Sequence, residues 1–320
     1  MATSSFIIAR AAAAGSLALV VGAAIAQDFP SKPIRLYTTP PGGGNDFAAR
    51  VIAQSLSTGM GQQVVVDNRA ESLLGEILSK APADGYTLVI AGSSFVIGHL
   101  LRKVPYHPET DFAPISLVGT IPNVVLVHPS LPVKTVKELI SLAKARPGEL
   151  NYASGGTGST SHLSAELFNT MAGVKITGIP FKGSGPALTD LIGGQVQLMI
   201  GTASSSTAHI KSGRLNALAV TTAQPSVLVR GLPTVAATGL PGYEVEALLA
   251  IFVPARTPVP VVNRLNQEIV KVLNNTEIRQ KFFDTGIETV GSTPDQLAGK
   301  VKTEIAMWAK VIKDAGIVAQ

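Results

Sequence analysis

The chain has 320 residues, 46% hydrophobic, 15% charged and 5% aromatic, with 26 Lys+Arg against 21 Asp+Glu and no cysteine. Such a length points to two domains or one large one, able to bury a sufficient core, and the composition excludes wholesale disorder. The missing cysteines exclude a thiol nucleophile, Cys-ligated zinc, iron–sulfur clusters and disulfides, and a net charge of +5 without basic clusters gives nucleic-acid binding no footing.

Residues 1–26 read as a secretory signal: Arg10, the apolar run Ala11 to Ala24, then Ala24-Ile25-Ala26 as an A-x-A cleavage site. The run is shorter than the ~20 residues a spanning helix needs. The expected mature chain therefore begins near Gln27, in the periplasm, away from cytosolic ATP and NAD.

Beyond the signal, short β-type runs alternate with helical spacing. Pro33 to Thr39 is the first strand candidate, followed by Phe47, Ala48, Val51, Ile52 and Leu56 at helical intervals. Strands are expected at Val64 to Val66 and Tyr86 to Ala91, flanking a helix around Leu73 to Lys80. Asn123 to His128 precedes a helix from Val136 to Ala145. Strand candidates recur at Asn151 to Ala153, Ile176 to Phe181, Val196 to Ile200 and Leu215 to Thr221. Helices near Val261 to Asn274 and Pro294 to Ala315 close the chain, with Trp308 expected in the core. The alternation predicts an α/β fold with mostly parallel sheets flanked by helices. Two β-rich stretches, Ser116 to Val127 and Val245 to Pro254, suit interdomain crossings. Domain 1 is then 27–125 plus 247–320, domain 2 is 126–246, and a cleft between them can close on a ligand.

Three strand-to-helix turns can face an anion. Pro40 to Asp46 (PPGGGND) offers glycines for close backbone approach, with Asn45 or Asp46 as a helix cap. Ser154 to His162 (SGGTGSTSH) adds hydroxyl donors. Lys182 to Pro186 (KGSGP) supplies Lys182 as a countercharge, with Gly183 and Ser184, and puts Pro186 at the first helical position. Helix N-termini from two domains would converge on one anion.

Enzymatic readings find less. The Gly42-x-Gly44 pattern has Phe47 where a dinucleotide fingerprint needs glycine, and the serine-rich turn lacks the Lys-Ser/Thr of a P-loop. No G-x-S-x-G elbow exists. The strongest enzymatic alternative is an exported hydrolase using Ser159 with His162; a third reading is an envelope protein with a degenerate cleft. His99, His107, His128 and His209 show no close metal spacing.

The segments PSKPIRLYTTPPGGGNDFAARVIAQ, DNR, DGYTL, DFAPISLV, HPSLPVKTVKELI, LNYASGGTGSTSHLSAELF, PFKGSGPALTDLIGGQV and GSTPDQLA, in order along the mature chain, resemble the Bug-type extracytoplasmic solute receptors of tripartite tricarboxylate transporters. The resemblance implies a two-domain, type II periplasmic binding-protein fold that captures a small organic carboxylate in the interdomain cleft. It also implies no catalytic residue, no metal and no cofactor. By motif, ligand contact falls on Gly42, Gly43, Asn45 and Asp46, and on Ser154, Gly156, Thr157, Gly158 and Ser159. Ser93, His162, Lys182, Gly183, Ser184 and Thr202 complete the candidate set. The expected partners are membrane subunits of such a transporter, or a sensor, with the receptor itself a monomer.

Two segments depart from the family pattern. Ala70 to Gly75 replaces a Pro-Gly-Ala-Gly-Gly loop, bringing Glu71 and two leucines, and Gly201-Thr202 stands where the family commonly has Asp. Without that carboxylate a ligand ammonium lacks a partner, which points away from amino acids.

Overall fold

The computed structural model describes residues 29–42 and 44–317. The signal segment, its cleavage site and Gly43 lie outside the described residues.

Ten strands form one curved sheet in the order β2-β1-β3-β9-β4-β7-β5-β6, with β8 and β10 added to β4. One flank contains β1 (Ile34–Thr38), β2 (Val64–Asn68) and β3 (Thr87–Gly92), all parallel. The other contains β5 (Asn151–Ser154), β6 (Thr177–Pro180) and β7 (Leu198–Thr202), also parallel. The parallel pairing expected from the sequence is thus confined to the flanks. Between them β4 (Phe112–Val127) and β9 (Glu246–Pro254) run antiparallel to each other and to β3 and β7.

The strand β4 exchanges neighbours along its length. Up to Pro122 it pairs with β9, and with β10 (Glu288–Thr289) at Gly119 and Thr120. From Asn123 onward it pairs with β7, and from Val124 also with β8 (Asn216–Val220). Thr221 ties the crossing together. Its hydroxyl accepts from the Asn123 N–H at 3.2 Å and donates to the Val245 carbonyl, while its own N–H donates to the Asn123 carbonyl at 3.0 Å.

The helices that carry the site follow the strands. The first, α1 (Gly44–Met60), follows β1 and buries Ala48, Ile52 and Leu56 at 3.6-residue spacing. Then come α2 (Glu71–Lys80), α3 (Ser93–Leu101), α4 (Pro108–Asp111) and α5 (Val136–Ala145). The turn after β5 leads into α6 (Thr160–Ala172), the turn after β6 into α7 (Ser184–Ile192), and β7 into α8 (Ala203–Lys211). A short α9 (Val235–Thr238), then α10 (Val259–Leu273) and α11 (Thr276–Asp284), precede α12 (Pro294–Asp314). The last helix packs on β4, α3 and α6, so it spans both flanks of the sheet, and Trp308 sits in the core as expected. Pro186 lies at the third residue of α7 rather than the first, since Gly183 with φ 111° caps that helix.

Candidate functional site

The C-terminal ends of β1, β3, β5 and β7 open toward one cleft, the place where open parallel sheets receive ligands. Two chambers occupy it. One, of about 510 Å³, is lined by the serine-rich turn, Ser184, β7, Asn123, Glu71 and α3. The other, of about 760 Å³, is lined by Gly42, Gly44, Asn45, Ile121, α8 and the end of α11. Thr202 borders both. Ile121 and Asn123 share one face of β4, so the crossing strand floors both chambers, about 7 Å apart at these two positions. The triglycine and serine-rich turns therefore front adjoining chambers. They do not share the single chamber expected from sequence.

The serine-rich turn is largely bonded to itself. Ser159 caps α6 by accepting from the His162 N–H at 3.3 Å, and its hydroxyl donates to the Gly156 carbonyl at 2.7 Å. The Ser161 hydroxyl accepts from the Gly155 N–H at 2.9 Å, and the Gly158 N–H donates to His162 Nδ1 at 3.2 Å. Gly156 (φ 120°) and Gly158 (φ 78°) occupy backbone regions that disfavour a side chain. At Gly158 a Cβ would also lie 2.9 Å from Leu101 Cδ1, so α3 seals directly against this turn.

These bonds reassign several expected roles. The Ser159 hydroxyl is committed to a cap and a carbonyl, and the His162 ring makes no bond to it among the described residues. Burial lowers the His162 pKa, but with its Nδ1 accepting from Gly158 the ring braces the turn. This geometry gives the hydrolase alternative no support. Ser154 is fully buried beneath the turn, its Oγ without a partner. Asp46, expected as a cap or ligand contact, is buried instead under the triglycine turn, in a helix that already opens at Gly44. It accepts from the Gly42 N–H at 3.1 Å, from Asn68 at 2.8 Å and from Arg50 at 3.0 Å. Burial works to raise its pKa, but the hydrogen bonds from Arg50, Asn68 and Gly42 prevail and hold it below the usual carboxylate value. Ser93 is buried and accepts from the Leu248 N–H at 3.0 Å, joining α3 to β9. Lys182 is exposed, and neither it nor Gly183 lines a chamber.

What remains to meet a ligand in the smaller chamber is a set of donors. The hydroxyls of Thr157, Thr160 and Ser184 line it and make no hydrogen bond among the described residues. Asn123 is 1% exposed, and its Nδ2 has no partner among the described residues. Leaving a buried amide N–H unpaired costs about 1–3 kcal/mol, which an acceptor from a ligand would recover. Thr202, at the head of α8, exchanges a hydrogen bond with the Ser205 hydroxyl at 2.9 Å. Across the chamber stand Glu71, which heads α2 and accepts from the Ser94 hydroxyl, and Arg102, just past α3. Thr157, Ser184 and Thr202 are brought together as expected. Thr160, Asn123, Ser94 and Arg102 were not identified from sequence, although Thr160 lies within the recognised turn.

Comparison with known proteins follows the same outline. Residues 48–317 match the model described as tripartite tricarboxylate transporter family receptor. The chain is 38% identical to Protein BugT of Bordetella pertussis over 298 residues, 91% of each chain. It is 40% identical to Rpa4515 of R. palustris, solved with adipate, over 90% of this chain and 99% of that one, with a TM-score of 0.76. MatC of Rhodopseudomonas palustris, with bound malate, is 30% identical over 89% and 100% of the two chains, with a TM-score of 0.73. The likeness covers the whole two-lobed α/β architecture, the fold expected from the sequence.

Proposed function

Because the chain belongs to the tripartite tricarboxylate transporter family of receptors, we propose that it is a periplasmic solute receptor that holds a small organic carboxylate in the smaller chamber. The observation that carries this reading is the buried Asn123 amide, unpartnered among the described residues, in a chamber also lined by Thr157, Thr160 and Ser184, whose hydroxyls make no hydrogen bond there. A site furnished with donors and lacking a partner calls for an acceptor-rich group, and a carboxylate presents about four lone-pair positions. The N-termini of α6 and α7 add positive potential on the same side. Adipate and malate in the related structures fit this chemistry.

In this reading the signal is cleaved near Ala26. One lobe comprises 27–125 plus 247–320 and the other 126–246, a division supported by the exchange of β4 partners at Pro122 and Asn123. The lobes close about the crossing strands, and the closed monomer presents its ligand to membrane subunits of a tripartite transporter or to a sensor. Gly42 and Asn45 front the neighbouring chamber, where they meet the far end of a longer ligand or the lobe opposite on closure. A thermal-shift screen of mono-, di- and tricarboxylates tests the reading. A ligand at 100 times its dissociation constant adds about 2.7 kcal/mol to stability. No shift with any carboxylate would overturn it.

A further inference from the structure

The smaller chamber contains two opposite charges that do not pair with each other. Ser94, Leu101 and Arg102 lie on one face of α3 and its end, at i, i+7 and i+8, and all line the chamber. Gly98 occupies the middle of that face. A Cβ built there would lie 3.5 Å from Arg102 Nη2 and 3.6 Å from the Tyr106 hydroxyl. The arginine thus lies back along the helix, the direction in which helical side chains lean. Its guanidinium makes no ion pair or hydrogen bond among the described residues, although Glu71 lines the same chamber and the charges of both bear on the Tyr106 hydroxyl. One Glu71 oxygen accepts from Ser94; the other has no partner among the described residues.

We propose that Arg102 and Glu71 set ligand specificity, selecting a small dicarboxylate that carries a hydrogen-bond donor between its ends. This rests on the carboxylate reading above. One carboxylate sits on the Asn123, Thr157 and Ser184 donors, the second meets Arg102, and a ligand hydroxyl or ammonium donates to the open Glu71 oxygen. A plain diacid leaves Glu71 facing the ligand without a donor and repelled by its carboxylates, so it is rejected relative to the substituted one.

The test is calorimetric titration of succinate, L-malate and L-aspartate, which share a four-carbon diacid and differ only in the donor. The wild type, Arg102→Gln and Glu71→Ala are compared, with melting curves to verify folding. The wild type is expected to bind malate or aspartate at least about tenfold more tightly than succinate, and the preferred one identifies the donor as hydroxyl or ammonium. Arg102→Gln should weaken all three about tenfold or more, the loss of one charge-assisted contact. Glu71→Ala should erase the preference, bringing the malate and aspartate affinities down to that of succinate. An unchanged malate-to-succinate ratio in Glu71→Ala, or unchanged affinities in Arg102→Gln, overturns the assignment. So does binding of succinate or adipate with no gain from either donor, a result that leaves the carboxylate reading standing. Failure of every carboxylate, adipate included, would instead remove the underlying function.

Discussion

Glu304 gives the chain a specific pH signature. It lies midway along α12, 7% exposed, behind the crossing strands, with its Oε2 lacking a hydrogen-bond partner. Burial is the main cause that pushes its pKa up, to about 8; Lys300 and Ser93 oppose the shift, while Glu246 and Glu244 add to it. An unfolded glutamate titrates near ~4.3. Between those values the folded chain keeps a proton that the unfolded chain releases, so stability falls as pH rises. It is fully present below the unfolded value and levels off above the folded one. The slope is about 1.4 kcal/mol per pH unit, so about 3 kcal/mol is lost from pH 5 to pH 7. Glu246 is displaced in the same direction, first by burial, and adds a slope of the same sign. Glu304→Gln keeps the shape and removes the titration. Urea unfolding at pH 5, 6, 7 and 8 should show a much flatter profile in the variant and a stability gap that widens toward pH 8. Parallel profiles for the two proteins would refute the reasoning.

Three other substitutions probe the framework around the cleft. Asp46→Asn removes the charge that organises the triglycine turn and should cost about 1–3 kcal/mol at neutral pH. Because the folded Asp46 pKa is depressed, its stabilisation is present above about pH 4 and lost as pH falls through the folded value. The urea-measured gap between the two proteins should therefore narrow as pH falls below about 4, and a gap that is the same at neutral and acidic pH would contradict the role. Gly286→Ala puts a Cβ 2.5 Å from Ser204 Cβ at φ 80°, where α11 meets α8 across the larger chamber. Backbone strain of about 1–2 kcal/mol and a forced separation should lower the melting temperature and weaken carboxylate binding; unchanged values for both would count against a tight contact there. Thr221→Val removes the hydroxyl tie between Asn123 and Val245, and a urea-measured loss under about 0.5 kcal/mol would mean the tie is dispensable, against an expected 1–3 kcal/mol.

The sequence made the strands and most amphipathic helices legible because each has one buried face. Helix α5 matches its expected span, and α1 shows its stripe clearly. Helix α3 was hidden because its segment SSFVIGHLL is buried on most sides, so no 3.6-residue stripe emerges. With α3 unread, the stripe that sets Ser94 and Arg102 on the chamber wall could not be read either. The strand β4 (Phe112–Val127) was legible as the β-rich crossing Ser116 to Val127, and only its first residues before Ser116, around Pro114, escaped the pattern. Asn123 fell within that expected crossing, but nothing in the local sequence marks it as the residue whose amide is left unpartnered among the described residues. In the serine-rich turn the residue types were informative but the division of labour was not. Ser159, Ser161 and His162 hydrogen-bond within the turn, whereas the hydroxyls of Thr157 and Thr160, which line the chamber beside Ser159 and Ser161, make no hydrogen bond among the described residues. Only the folded geometry separates those roles, because each hydroxyl is chemically able to do either.

The most direct measurement is a crystal structure of the chain grown with the carboxylate that gives the largest thermal shift. A ligand carboxylate oxygen is expected within about 3.2 Å of Asn123 Nδ2, with at least one of the Thr157, Thr160 and Ser184 hydroxyls bonded to the same group. A ligand bound elsewhere, with Asn123 still unpartnered, would contradict the assignment of the site.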